Sequence, residues 1–166
     1  MENFSLNRSE RVKKKNDFEK VYSSGKVLYS SELLIKSIYT INLNENFLGV
    51  KIGVAVSKKA GNAVWRNRIK RLIKESYRLN KVSIVEKASK NNVGVMIIFS
   101  PNRLSELRNK TIFLKDIKEK VVELINKIEQ QIWQVNLYNR TSRNKASLIF
   151  SAQIKFNLNT QNIRVL

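Results

Sequence analysis

The chain has 166 residues, 42% of them apolar, and sets 32 Lys and Arg against 13 Asp and Glu for a formal charge of +19. That length suits one domain with a modest tail, and the apolar share supports a real core, which excludes general disorder. So large a charge excess repels itself in the compact state and favours a polyanionic partner, with membrane surfaces and acidic proteins as the rival partners of a basic chain.

Residues 1–14 are polar and basic without a sustained period, so a loose basic arm is expected. The opening MENFSLNRSERVKKK lacks the charged-then-apolar order of a signal peptide. Asn16 is placed to cap a short helix, with Glu19 three residues later. Phe18, Val21 and Tyr22 share one face of that helix, and Gly25 suits a left-handed stop. LLIKSIYTI at 33–41 reads as a strand and NLNEN at 42–46 as the turn after it.

VKIGVAVS at 50–57 alternates cleanly. Val50, Ile52, Val54 and Val56 form an apolar face, while Lys51, Gly53, Ala55 and Ser57 form a small or basic one that admits close approach. KKAGN at 58–62 is a loop, and a helix follows from about Ala63 to Leu79. Trp65, Ile69, Leu72, Ile73 and Ser76 fall on one side of it, with Tyr77 at the margin. Arg66, Asn67, Lys70, Arg71, Lys74 and Arg78 cover the other side, and Arg68 sits at the far border of the apolar stripe. A loose polar segment at 80–92 leads to VGVMIIFS at 93–100, a buried strand closed by Pro101.

A last helix starts near Thr111, where Leu114, Ile117, Val121, Leu124, Ile125, Ile128 and Ile132 keep helical spacing. After about residue 130 there is no Asp or Glu, and Asn and Gln are frequent. The layout is an α+β fold, an α/β sandwich on one small mixed sheet packed with about three helices. It spans 1–130, with 131–166 a C-terminal extension. No apolar run reaches about 18 residues, so no membrane-spanning helix is expected.

Two absences narrow the chemistry. Without Cys there is no disulfide framework and no thiol chemistry, which fits a cytoplasmic location. Without His the usual general base and the commonest transition-metal ligand are gone. A protein-only nuclease would have to hold Mg²⁺ through carboxylates, and these are scattered, with only Glu75 in the most basic region.

The basic helix has a bland reading, a solvated face that needs charge somewhere. Three features favour nucleic acid instead. The charge has one sign, where a merely stabilising helix interleaves Glu with Lys at i, i+4. Arg66, Lys70 and Lys74 stack along one line, and Asn67, Arg71, Lys74 and Arg78 along another, with successive groups roughly 5–6 Å apart, close to the spacing of neighbouring phosphates. Arg supplies a planar fork for phosphate or a base edge, and Asn both donates and accepts. Lys58 and Lys59 stand just before the helix, Gly61 allows backbone contact with a phosphate, and the first-turn N–H groups favour an anion.

VAVSKKAGNAVWRNRIKRLIKESYR (54–78) closely resembles the signature of the protein component of bacterial ribonuclease P. KKKNDFEKVYSSG (13–25) is similar to that family's first helix and turn. The resemblance covers about residues 8–130. It implies the order α-β-β-β-α-β-α with a left-handed βαβ crossover, an exception to the usual hand. It implies the protein subunit of an enzyme that removes the 5′ leader of precursor transfer RNA. It further implies that catalysis lies in the RNA subunit, with Mg²⁺ bound mainly through RNA, and that the protein, expected to be a cytoplasmic monomer, has no catalytic residue of its own.

Two surfaces carry over from the resemblance. Lys58, Lys59, Asn62, Arg66, Asn67, Arg68, Lys70, Arg71, Lys74 and Arg78 would contact the catalytic RNA subunit. Lys14, Phe18, Tyr22 and Lys36 would line a cleft for the single-stranded leader. From spacing alone core packing is the favoured reading of Phe18 and Tyr22; the resemblance reverses it toward a partly exposed stacking face. Lys36 stands where the family often has an aromatic ring, which shifts the cleft from stacking toward charge. Trp65 reads as a core anchor. The rival functions are a non-enzymatic ribosomal-type or RNA-chaperone protein and a protein-only nuclease.

Overall fold

The structure is a computed structural model that describes residues 5–43 and 47–135. The chain divides into two compact units, 1–132 and 133–166; the fold below is that of the first. Its elements are α1 (Lys15–Ser24), β1 (Lys26–Tyr29), β2 (Ile35–Asn42), β3 (Gly49–Val54), a 3-10 turn (Lys58–Ala60), α2 (Ala63–Asn80), α3 (Val82–Lys90) and β4 (Gly94–Pro101). A final helix, α4, occupies 114–135. This is the expected α+β class.

The four strands lie in the order β1-β2-β4-β3. β1 and β4 both run antiparallel to β2, while β3 runs parallel to β4. A parallel neighbour needs a crossover, and α2 and α3 supply it. β4 sits in the middle, so its residues from Gly94 to Ser100 are buried on both faces. That is why VGVMIIFS is apolar without alternation.

The sheet separates two cores. On one face Ile35, Tyr39, Val50, Ile52, Val95, Ile97 and Phe99 pack with Trp65, Ile69, Ile73 and Tyr77 of α2, Ile84 and Ala88 of α3, and Ile117, Val121, Leu124 and Ile128 of α4. Each fully buried Ile of α2 contributes about 1.5–3 kcal/mol. On the other face a smaller cluster joins Val12, Val21, Ile38, Met96 and Ile98, with Phe18, Phe47 and Ala55 packed against it. Among the described helices only α1 lies on that second face.

Several expectations are corrected. The segment 80–92 is not loose: it contains α3, whose buried side is only Ile84 and Ala88, too short a stripe to announce itself. The order is therefore α-β-β-β-α-α-β-α, with four α-helices among the described residues. The arm is not loose either. Val12 N donates to Ile52 O and Ile52 N to Glu10 O, both at 2.8 Å. Buried Lys81 donates to Ser5 O at 2.6 Å and to the Glu10 carboxylate at 2.7 and 3.0 Å. Backbone pairing to the open edge of β3 fastens this segment, and side-chain periodicity carries no trace of it.

α1 begins at Lys15 after Lys14, without a side-chain cap, so Asn16 does not cap it. Gly25 is extended (φ −78°, ψ 146°) rather than left-handed. It is glycine because a Cβ there would lie 2.2 Å from Val21 O and 2.6 Å from Ile38 Cγ2. Tyr77 is fully buried rather than marginal, and Leu72 is half-buried. The strand expected at 50–57 ends at Val54, and the last helix starts at 114 rather than Thr111. The NLNEN turn falls partly on 44–46, and the extension from 136 onward, like residues 1–4, lies outside the described residues.

Candidate nucleic-acid interface

α2 starts where the sequence places it, because Asn62 caps it. Asn62 Oδ1 accepts from Trp65 N at 2.9 Å, satisfying one of the orphan donors of the first turn. The buried stripe Trp65, Ile69, Ile73, Ser76 and Tyr77 then turns the opposite face outward. Trp65 is the anchor the sequence suggested: its indole Nε1 donates to Asn109 O at 3.0 Å.

The ten residues assigned to this surface separate into two groups. Lys58, Lys59, Asn67, Arg71 and Lys74 are exposed, and Arg66 and Lys70 are half-buried beside them. None of the five lysine and arginine side chains Lys58, Lys59, Lys70, Arg71 and Lys74 has an acidic partner among the described residues. Arg66 Nε is buried and lacks a hydrogen-bond partner there. The other three are occupied internally. Asn62 uses its Oδ1 for the cap and donates Nδ2 to Glu106 at 2.6 Å. Arg68 Nη2 donates to Ile112 O at 2.9 Å. Arg78 grips Glu75 with two bonds of 2.8 and 2.6 Å. Those bonds from Arg78 hold the Glu75 carboxyl below its ordinary range, against the opposing effect of burial.

The second surface is the face of the sheet beside α1. Phe18 lies against Gly53, where a Cβ would come 3.0 Å from its ring. It is half-buried, and its ring stacks with Tyr22 at a centroid distance of 6.5 Å. Tyr22 is 50% exposed. Core and exposed readings thus divide between the two rings: Phe18 packs on the smaller cluster and Tyr22 meets solvent. Lys36, half-buried, points to the same face as Ile38, two residues along β2. Lys14 is exposed just ahead of α1.

Tyr29 was not singled out in the sequence. Register places it directly across from Lys36, and Val27 across from Ile38, so both stand on the α1 face. Tyr29 is 43% exposed. A ring therefore stands beside Lys36, one strand away. The signal was the alternation in KVLY, too short to read until its partner strand was known. Among the described residues no group of three or more His, Cys, Asp or Glu is arranged to hold a metal ion. No described helix is long and apolar enough to cross a membrane.

A profile of the ribonuclease P family matches residues 6–129. The ribonuclease P protein component of Clostridioides difficile is 36% identical over 127 residues, covering 76% of this chain and 98% of that protein. That of Clostridium novyi is 46% identical over 82 residues, covering 49% of this chain and 70% of that protein. Among solved structures, the ribonuclease P protein from Thermotoga maritima superposes with a TM-score of 0.57 at 24% identity, over 71% of this chain and 96% of that one, a likeness of fold. The Staphylococcus aureus ribonuclease P protein gives 0.50 at 27% identity, over 72% and 94%. The chain belongs to the family of ribonuclease P protein components.

Proposed function

We propose that this chain, as the protein subunit of ribonuclease P, grips the catalytic RNA through α2 and the loop before it. The face beside α1 would hold the single-stranded 5′ leader of precursor transfer RNA. One observation carries the first half: the exposed cations of α2 lie in rows with no acidic partner among the described residues. The second half is supported by two exposed rings, Tyr29 opposite Lys36 in strand register and Tyr22 on α1, on a surface that no other described helix covers. Rings accept any unpaired base, and Lys36 and Lys14 suit the backbone between them.

In this reading the protein works by placement and charge. Binding the leader adds contacts that mature transfer RNA does not offer, which favours precursor over product. The α2 cations offset repulsion between two large RNAs, lowering the Mg²⁺ needed for assembly. In this reading the metal chemistry belongs to the RNA, and no step runs through the protein. The protein acts as a monomer in the cytoplasm.

The test incubates the full chain, precursor transfer RNA and Mg²⁺ with and without the cognate RNA subunit. Leader removal is expected only with both parts present. Cleavage by protein alone would point to a protein-only nuclease. No effect of the protein on the RNA-catalysed reaction would leave it a non-enzymatic RNA-binding protein.

A further inference from the structure

We infer that Glu106 is a positioning residue for the RNA-binding loop 58–62, a carboxylate that raises RNA affinity although its charge opposes it. The inference rests on the reading of α2 and its loop as an RNA interface. Glu106 Oε2 accepts from Asn62 N at 2.7 Å and Oε1 accepts from Asn62 Nδ2 at 2.6 Å. Glu106 N donates to Ala60 O at 2.8 Å. The residue thus holds the loop at two backbone positions, Ala60 and Asn62, and fixes the side chain that caps α2.

Gly61 gains a different explanation from the one its sequence suggested. A Cβ there would lie 2.7 Å from Glu106 Cβ and 2.9 Å from Oε2. Glycine admits Glu106, whereas the sequence alone suggested that it admits phosphate. Without Glu106 the loop keeps only local bonds, Ala60 N to Ser57 O at 3.1 Å and Lys59 N to Ser57 Oγ at 3.3 Å. Lys58 and Lys59 stand on that turn, so their ammonium groups keep a direction only if the loop does. Glu106 completes the ordering during folding, which removes it from the cost of binding RNA.

Charge and placement predict opposite signs for one substitution. Glu106→Gln makes the chain more positive by one charge while setting an amide donor against Asn62 Nδ2. Charge alone predicts tighter RNA binding. Placement predicts affinity for the cognate ribonuclease P RNA about tenfold weaker and a log–log salt slope shallower by up to about 1.4, as two lysine–phosphate contacts are lost at ~0.7 each.

The Asn62→Asp/Glu106→Gln pair reverses donor and acceptor at the wild-type net charge, and it is expected to restore affinity to within about twofold. Thermal unfolding of each free variant is followed alongside. Should Glu106→Gln fail to fold, Glu106→Asp, which keeps the charge but withdraws its oxygens, is expected to weaken binding as well. Binding by the folded variant as tight as wild type, or tighter, overturns the inference. If wild type itself does not bind the RNA, the reading of α2 fails first, a result distinct from equal binding by both.

Discussion

α2 and α3 meet at Lys81 and pack on the same core, yet they treat charge in opposite ways. On α3 the cations are matched. Lys87 donates to Glu129 at 3.0 Å, Lys90 faces Glu86 at 3.5 Å, and Lys81 is held by Glu10. Glu129, itself buried, also accepts from Ser83 at 2.6 Å. On α2 a single carboxylate, Glu75, takes Arg78, and Lys70, Arg71 and Lys74 have no acidic partner among the described residues. Leaving cations together without partners is unfavourable for folding. The pairing on neighbouring α3 and its absence on α2 fit the proposal that α2 meets an external polyanion.

Four experiments break or sharpen that contrast. The largest effect is expected at the buried root of α2. Trp65→Ala removes the ring and its bond to Asn109, and should lower stability by about 3–5 kcal/mol in chemical denaturation. A loss under about 1 kcal/mol would show that α2 is held by other contacts.

Next, Lys70→Ala/Arg71→Ala/Lys74→Ala should weaken binding to the ribonuclease P RNA about a hundredfold at low salt. It should also flatten the salt slope by about 2, at ~0.7 per phosphate contact. The matched change on α3 should do neither. Lys87→Ala instead strips a partner from buried Glu129 and should lower stability by about 1–2 kcal/mol. Equal salt slopes for the two helices would abolish the distinction.

A smaller effect concerns the other surface. Tyr22→Ala with Tyr29→Ala should cost about 1–3 kcal/mol per stacked base in precursor binding. Affinity for mature transfer RNA and for the RNA subunit should not change. Loss of assembly instead would merge the two surfaces into one.

The smallest effect is the pH dependence of the Glu75–Arg78 ion pair on α2. The Glu75 carboxyl sits below its usual value in the folded protein. The stability it adds is therefore present above the unfolded value of 4.5 and is lost as pH falls through the lower folded value. Solvent screens this half-exposed pair, so its contribution is small. The advantage of wild type over Glu75→Gln should shrink to nothing in acid denaturation profiles below that range.

The helix at 63–80 was legible because one segment carried an apolar stripe and a one-signed outer face. Trp65, Ile69 and Ile73 each do in the structure what local spacing implied, whereas Asn62, expected at the RNA, caps the helix. β4 was legible for a different reason: a central strand is buried on both faces, so it shows as an uninterrupted apolar run. α3 was not, because two buried residues make no period. The Glu10–Lys81 latch joins residues 71 positions apart, and nothing local marks either as a partner. Tyr29 became part of a surface only through its register with Lys36.

By itself the sequence determined where the charge lies and which faces are apolar, since both follow from helical and strand repeats over neighbouring residues. It could not decide which cations remain free. Arg68, Arg78 and Lys74 look alike in the chain, yet Arg68 is tied to Ile112, Arg78 to Glu75, and Lys74 to nothing acidic among the described residues. That difference comes from acceptors brought within reach by the fold. The same holds for Gly61 and Glu106, 45 positions apart by number, whose contact exists only because the segment after β4 returns to the start of α2.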